Sequence, residues 1–251
     1  LIVEDNDELR EYLRNTLSET YHIQVCSNGK MALTIAKEYL PNLIISDIMM
    51  PEMRGDELCK ALKNDIETSH IPIILLTALN TDKNIIEGLE TGADEYIVKP
   101  FNIGILRATI ANLLNNRALL RHKYANLELN DDKHDTGCIN CSSDLDWKFI
   151  ATVKKHVEEN MDNTDFSVED LSMTVGMSRG HLYKKLMTIT GKSPLEFIRV
   201  LRIKRGKQLL EQSQESISQI AYQVGLSPKQ FAKYFKEEFG CLPSEFNCKK
   251  D

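Results

Sequence analysis

Long hydrophobic runs are missing from this chain of 251 residues. Nothing approaches the ~18 consecutive apolar residues of a membrane-spanning helix, and no basic start leads into an apolar signal segment. A soluble, non-exported segment is expected, located in the cytoplasm, with any inner-membrane anchor of a longer protein lying upstream. Cysteine is sparse as well. The six residues Cys26, Cys59, Cys138, Cys141, Cys241 and Cys248 are scattered rather than framed at disulfide spacings, which suits a reducing compartment and argues against a disulfide scaffold. Nor is there an overall excess of positive charge, since 31 basic residues face 37 acidic ones. The charge is nevertheless unevenly spread: residues 1–129 carry 13 basic and 19 acidic side chains, 130–166 carry 4 and 9, and 167–251 carry 14 and 9. A basic last third beside acidic segments is a plausible electrostatic footprint for nucleic acid, although a solvated lysine face would give the same count.

What the chain does have begins with Asp47. It closes the apolar run Leu43-Ile44-Ile45-Ser46 and precedes Ile48-Met49-Met50-Pro51. Such a run reads as a buried parallel strand, which would put the carboxylate at the strand end where open α/β sheets bind ligands. Capping of the next turn is the plain alternative for a lone acid. Other runs end in the same manner: Leu1-Ile2-Val3 runs into Glu4 and Asp5, Ile73-Ile74-Leu75-Leu76 into Thr77, and Tyr96-Ile97-Val98 into Lys99. Helical spacings at Leu9, Leu13, Leu17 and at Leu58, Leu62 alternate with them, so the sheet is expected to be parallel and doubly wound, with all these ends on one edge. Clustered carboxylates repel unless a cation joins them. Hard oxygen ligands at an open site favour Mg²⁺, and a hydroxyl and an ammonium nearby suit a phosphoryl group placed on Asp47.

With these residues in view, residues 1 to about 127 resemble a response-regulator receiver domain. The motifs are Glu4-Asp5, Asp47, Met50-Pro51, Gly55, Leu76-Thr77-Ala78, Gly92-Ala93-Asp94-Glu95-Tyr96 and Lys99-Pro100-Phe101. The resemblance implies a five-stranded sheet with Asp47 as phosphoacceptor, and Mg²⁺ held by Asp5, by Asp47, by the Met49 carbonyl and through water by Glu4. It further implies Lys99 and Thr77 on the phosphoryl group and Tyr96 as the aromatic that turns inward on activation. Glu4 replaces the commoner aspartate. A phosphatase with an aspartyl nucleophile competes less well, because the second acid such enzymes use two places on is here Met49.

Leu1 already lies inside a strand pattern, so a piece of a longer chain is expected. Residues 130–146 are polar and turn-rich and read as a linker, leaving a receiver over 1–129 and a second domain over 147–251. The linker's Cys138 and Cys141, with His134 near, invite a metal or redox reading, but no second ligand pair accompanies them. Leu106, Leu113, Leu120 and Leu127 recur every seven residues with Ile110, Arg117 and Tyr124 between. A single amphipathic helix is the simpler account, while the turns after Arg117 could zip two chains into a homodimer.

The basic third repeats itself at an offset of 49. Val175-Gly176-Met177-Ser178 aligns with Val224-Gly225-Leu226-Ser227, Leu182 with Phe231, Leu186 with Phe235, Gly191 with Gly240, and Pro194 with Pro243. Each copy offers a short amphipathic helix, a glycine, a serine N-cap and a second helix, which is the helix-turn-helix pattern; an ordinary helical hairpin is the alternative for one copy. Basic and amide side chains then occupy the front of each second helix: Ser178, Arg179, His181, Lys184 and Lys185 in one, Lys229, Gln230, Lys233 and Lys236 in the other. These types donate to phosphates and to guanine and adenine edges. Between the copies, Pro194 to about Gln212 reads as one helix, roughly 30 Å long, close to the ~34 Å between successive major-groove faces. Arg199, Arg202 and Lys204 are expected on its outer side.

Residues from about 147 to 246 resemble the AraC-type DNA-binding domain through Leu182-Tyr183-Lys184-Lys185-Leu186, Gly191-Lys192-Ser193-Pro194, Ile220-Ala221, Val224-Gly225 and Phe235-Lys236 through Phe239-Gly240. Leu226 replaces a usual Phe, and Asn247 a frequent Arg. The joint expectation is a phosphorylation-controlled transcription regulator and not an enzyme. Its partners would be double-stranded DNA and a histidine kinase, which could belong to the same polypeptide because this resembles the output end of a hybrid two-component protein. A free-standing regulator, or a receiver acting as a phosphorylation-independent binding module, are the alternatives. No kinase histidine motif or ATP-binding glycine motif occurs in the sequence.

Overall fold

The computed structural model describes residues 1–78, 91–125, 144–212 and 215–247, with side chains in the long helix ending at 125 described through residue 116. The chain divides into two compact units, one centred on Leu1–Lys123 and one on Trp147–Asp251. The linker cysteines, His134, Arg117, Leu120 and Leu127 fall outside the described side chains.

In the first unit, β1 (Ile2–Val3), β2 (Val25–Cys26), β3 (Ile44–Asp47), β4 (Ile73–Thr77) and β5 (Glu95–Val98) form one sheet in the order β2-β1-β3-β4-β5. Every pairing is parallel, and the register sets Ser46 beside Val3, Asp47 beside Leu76 and Thr77 beside Val98. Parallel strands need crossovers, supplied among the described residues by α1 (Asp7–Leu17), α2 (Gly29–Tyr39) and α3 (Gly55–Lys63), with α4 (Ile103–Ala125) following β5. Alternate strand residues face opposite sides: Val3, Ile44, Ile73 and Leu75 join Ala32, Ala36, Leu58 and Leu62, while Ile2, Ile45, Ile74 and Leu76 join Leu13, Leu17, Leu106 and Ile110. Both faces are therefore covered, which is why the strands read as unbroken apolar runs. Each such Leu or Ile side chain stabilises the fold by roughly 1.5–3 kcal/mol. The heptad leucine Leu106 and its neighbour Ile110 are used up in this core.

Local chemistry starts the helices. Asn6 accepts from Leu9 N at 2.9 Å and Asp7 and Glu8 occupy the first turn of α1, favourable to the helix dipole. Asn28 does the same for α2 through Met31 N, and its amide reaches Glu52 at 3.1 Å. Asp94 is structural: it accepts from Ile73 N at 2.8 Å and from Lys63 at 2.6 Å, tying α3 and β4 to the start of β5.

The second unit is helical: α5 (Asp144–Glu159), α6 (Val168–Thr174), α7 (Arg179–Thr190), α8 (Pro194–Gln212), α9 (Ile217–Gln223), α10 (Pro228–Phe239) and α11 (Pro243–Asn247). Gly176 and Gly225 take φ of +69° and +65° at the two turns, and Ser178 and Ser227 cap α7 and α10 by accepting from His181 N and Gln230 N. The repeat in sequence is thus a repeat in structure. Two cores result. Phe149, Val153, Leu171, Leu182, Leu186, Ile198 and Leu201 form the first; Ile203, Leu210, Ile220, Val224, Phe231 and Phe235 form the second, with α8 contributing to both.

Candidate functional site

Three strand ends and a loop build the acidic site. Glu4 follows β1 and is buried, Asp47 ends β3 at 8% exposure, and Asp5 is exposed beside them. Their carboxylate oxygens lie within 4.8 Å of one another, a donor set able to hold one metal ion. Lys99, just past β5, places Nζ 2.8 Å from Glu4 Oε2 and 3.0 Å from Asp47 Oδ2. The other Asp47 oxygen accepts from Ile48 N at 2.8 Å. Burial raises the Glu4 carboxyl above its ordinary range, and the neighbouring Asp47 charge adds to this while Lys99 works against it. Burial lowers the Lys99 ammonium, but hydrogen bonds and charges from Glu4 and Asp47 outweigh it and leave a net upward shift. One cation therefore holds together two acids that would otherwise repel.

Thr77 ends β4 and is buried, and its carbonyl accepts from Lys99 N at 2.6 Å, so the hydroxyl-bearing strand end and the lysine are fixed to each other. Met49 lies in the loop after Asp47 with its side chain exposed. Tyr96 is half-buried and its phenol meets the Thr91 hydroxyl at 2.5 Å. Glu4, Asp5, Asp47 and Lys99 thus gather at one edge of the sheet, with the Thr77 backbone joined to Lys99.

Arg10 was not foreseen. Its Nη1 donates to Glu4 O at 2.8 Å and Asp5 O at 3.4 Å, pinning the loop that presents both acids. An arginine one turn into a helix carries no pattern that would reveal this. Gly55 was foreseen only through resemblance; its reason is steric, because a Cβ there would lie 2.0 Å from Asp47 O.

On the second unit, Arg179, Lys184, Lys229, Lys233 and Lys236 are exposed, and His181 is half-buried. Arg179 pairs with Glu169 at 2.5 Å. Ser178 and Gln230 are engaged in capping: Gln230 Oε1 accepts from Ser227 N at 3.1 Å and from its hydroxyl at 2.9 Å. Lys185 is a correction. It is fully buried, with Nζ 5.0 Å from the Phe149 ring centroid. Helical spacing explains the placement, since Leu182, Lys185, Leu186 and Ile189 share the face turned to the core, and a cation over an aromatic ring offsets part of the burial cost. Tyr183, next to Lys184, is 47% exposed. Arg202 is likewise buried rather than outward, whereas Arg199 stacks over Tyr234 at 4.7 Å.

Residues 1–111 match the family model for the response regulator receiver domain, and residues 171–248 match one for a helix-turn-helix domain. The chain is 46% identical over 247 residues to histidine kinase P4 of Formosa agariphila, covering 98% of this chain and 18% of that protein. To transcriptional regulatory protein AfsQ1 of Streptomyces coelicolor it is 38% identical over 115 residues, covering 45% of this chain and 50% of that one. The crystal structure of a transcriptional regulator with an AraC-type DNA-binding domain from Chromobacterium violaceum is similar at 27% identity and a TM-score of 0.39, over 41% of this chain and 93% of that one. The chain therefore spans half or less of these curated relatives. Among the described residues no helix is long and apolar enough to cross a membrane.

Proposed function

We infer the function from family membership: the chain carries a response regulator receiver domain followed by an AraC-type helix-turn-helix domain, which makes it a two-component transcription regulator and not an enzyme. Asp47 accepts a phosphoryl group from a histidine kinase, and the helix-turn-helix units bind double-stranded DNA by sequence. The observation that carries the first half is Lys99 seated between Glu4 and Asp47 within the acidic cluster.

The site fits Mg²⁺, because its donors are hard oxygens on one open edge. Asp5 and Asp47 would hold it directly, with the Met49 carbonyl completing the protein ligands and Glu4 acting through water. When bound, the ion neutralises charge on the incoming phosphoryl oxygens. Asp47 supplies the nucleophilic carboxylate, held in place by Ile48 N, and its new O–P bond forms as the P–N bond of the kinase phosphohistidine breaks and the imidazole departs; Lys99 leaves Asp47 for the arriving phosphoryl oxygens, and Thr77 donates its hydroxyl to them. Tyr96 then exchanges Thr91 for an inward position, and two receivers associate through the later turns of α4. The likeness to histidine kinase P4 over nearly the whole chain supports an output role within a hybrid sensor, with kinase and membrane regions elsewhere in the same polypeptide. On this reading the site of action is the cytoplasm.

Selection from a random duplex pool, with and without acetyl phosphate and Mg²⁺, tests the reading. One bipartite motif should be enriched, more strongly with the phosphodonor; a pool without enrichment under either condition would refute DNA recognition. On the selected duplex, Lys184→Ala should weaken binding by about three- to tenfold, a lost phosphate or base contact, while Lys185→Met changes it by less than about twofold. Gel-shift titration checks both. Equal losses for the two variants would return Lys185 to the DNA face.

A further inference from the structure

The two cores of the helical unit meet at one buried cation. Arg202 lies on α8 at 6% exposure, where the helix passes from the first core, through Ile198 and Leu201, to the second, through Ile203 and Leu210. Its Nη2 donates to Asn163 O at 2.5 Å and its Nη1 to Gly225 O at 3.2 Å. Asn163 lies in the loop that leads into the first helix-turn-helix unit. Gly225 is the turn of the second. The turn is pressed against this junction: a Cβ on Gly225 would lie 2.6 Å from Met161 O and 3.0 Å from Arg202 Cζ.

Stability alone does not decide for arginine here. Burying a guanidinium carries a desolvation cost, and Nε finds no acceptor among the described residues, whereas a methionine of similar length would fill the space without either penalty, though it would leave the Asn163 and Gly225 carbonyls without this donor. What the guanidinium adds is direction. Its planar fork fixes two carbonyls, one in the loop ahead of the first unit and one in the turn of the second, at set distances and angles, which an apolar side chain cannot do.

Resting on the DNA-binding reading above, we propose that Arg202 is a positioning residue that sets the spacing at which the two helix-turn-helix units meet the duplex. α8 fixes how far apart the units lie along its axis. The Arg202 clamp fixes the second unit against rotation and rocking about that axis, so the pair matches one separation of major-groove faces. One inserted base pair shifts the second contact by ~3.4 Å and rotates it by ~35°, a mismatch a rigid pair cannot follow.

The test uses the full chain and the selected bipartite duplex, with zero, one or two base pairs inserted between its halves, and a duplex keeping only one half. The wild type should lose about 30-fold in affinity on a single insertion, Arg202→Met less than about threefold, and Arg202→Lys an intermediate amount, all three binding the single half equally. Circular dichroism melting establishes that each variant is folded at the assay temperature. Arg202→Met retaining the wild-type insertion penalty, or losing single-half and whole-site affinity alike, would overturn the proposal. So would loss of fold in both variants, which would make Arg202 a structural core residue only. Failure of the wild type to select any duplex is a separate outcome, which removes the DNA-binding reading and this proposal together.

Discussion

Replacing Asp47 with Asn should abolish phosphoryl incorporation. Incubated with labelled acetyl phosphate and Mg²⁺, Asp47→Asn is expected to retain less than about 1% of wild-type label, because an amide offers no carboxylate nucleophile to attack phosphorus. The substitution keeps the shape of the site, so the loss is chemical rather than structural. The amide oxygen can still accept from Ile48 N, now at 2.8 Å from Asp47 Oδ1, and Lys99 keeps its ion pair with Glu4 at 2.8 Å. Removing the Asp47 charge also relieves one of the causes that raise the Glu4 carboxyl. Stability in urea should accordingly change by less than about 1 kcal/mol. Label on Asp47→Asn above about a tenth of wild type would show another acceptor. A second readout separates the regulator from a phosphorylation-independent binding module: acetyl phosphate should raise mass by light scattering and tighten DNA binding in the wild type only. A wild type that stays monomeric at micromolar concentration in both conditions would refute phosphorylation-driven dimerisation.

Much of this architecture is readable from the residues because it depends on short-range patterns. Apolar runs ending in Glu4, Asp47, Thr77 and Lys99 reveal where the strands stop, and a parallel sheet then places those ends together. The glycine and serine positions repeated at an offset of 49 are legible for the same reason: left-handed φ at Gly176 and Gly225 and capping by Ser178 and Ser227 are local demands. Lys185 and Arg202 are misread when basic side chains are assumed to face outward. Spacing could have placed Lys185, three residues after Leu182 and next to Leu186. For Arg202 the face is equally apolar, with Ile198 one turn before and Gly206 one turn after. Their partners, Phe149, Asn163 and Gly225, lie 36, 39 and 23 residues away in sequence and belong to packing that no local pattern encodes. Gly206 shows the same limit, since its need for glycine comes from the Phe231 ring, 2.3 Å from where a Cβ would sit.

Gly55 gives the largest structural effect expected from a single methyl group. It opens α3 directly after the loop that follows Asp47, and its N–H donates to Ile48 O at 3.0 Å, closing that loop on itself. A Cβ there would meet Asp47 O at 2.0 Å, Asp47 C at 2.9 Å and Ser46 Oγ at 3.0 Å. Two of these three atoms are backbone of a central strand, paired on both sides and packed between two apolar layers, so no side chain can swing away to make room. Either α3 moves outward, pulling Leu58 and Leu62 from the core, or the end of β3 moves and carries the Asp47 carboxylate off Lys99. Gly55→Ala should therefore cost about 3 kcal/mol or more, at the severe end for a small-to-large change, although alanine favours a helix intrinsically by up to ~1 kcal/mol. Urea denaturation followed at 222 nm measures the loss. Phosphoryl incorporation on the fraction still folded should fall about tenfold or more, because the misplaced carboxylate no longer lines up with Lys99 and Thr77. Gly104→Ala serves as the control, since the one atom near a Cβ there is the Asn102 side-chain oxygen at 3.0 Å, a side-chain atom that accepts from Gly104 N and not backbone of a strand, and it should change stability by about 1 kcal/mol or less. Equal stability of the Gly55 and Gly104 variants would mean that the β3–α3 loop yields more readily than its packing implies.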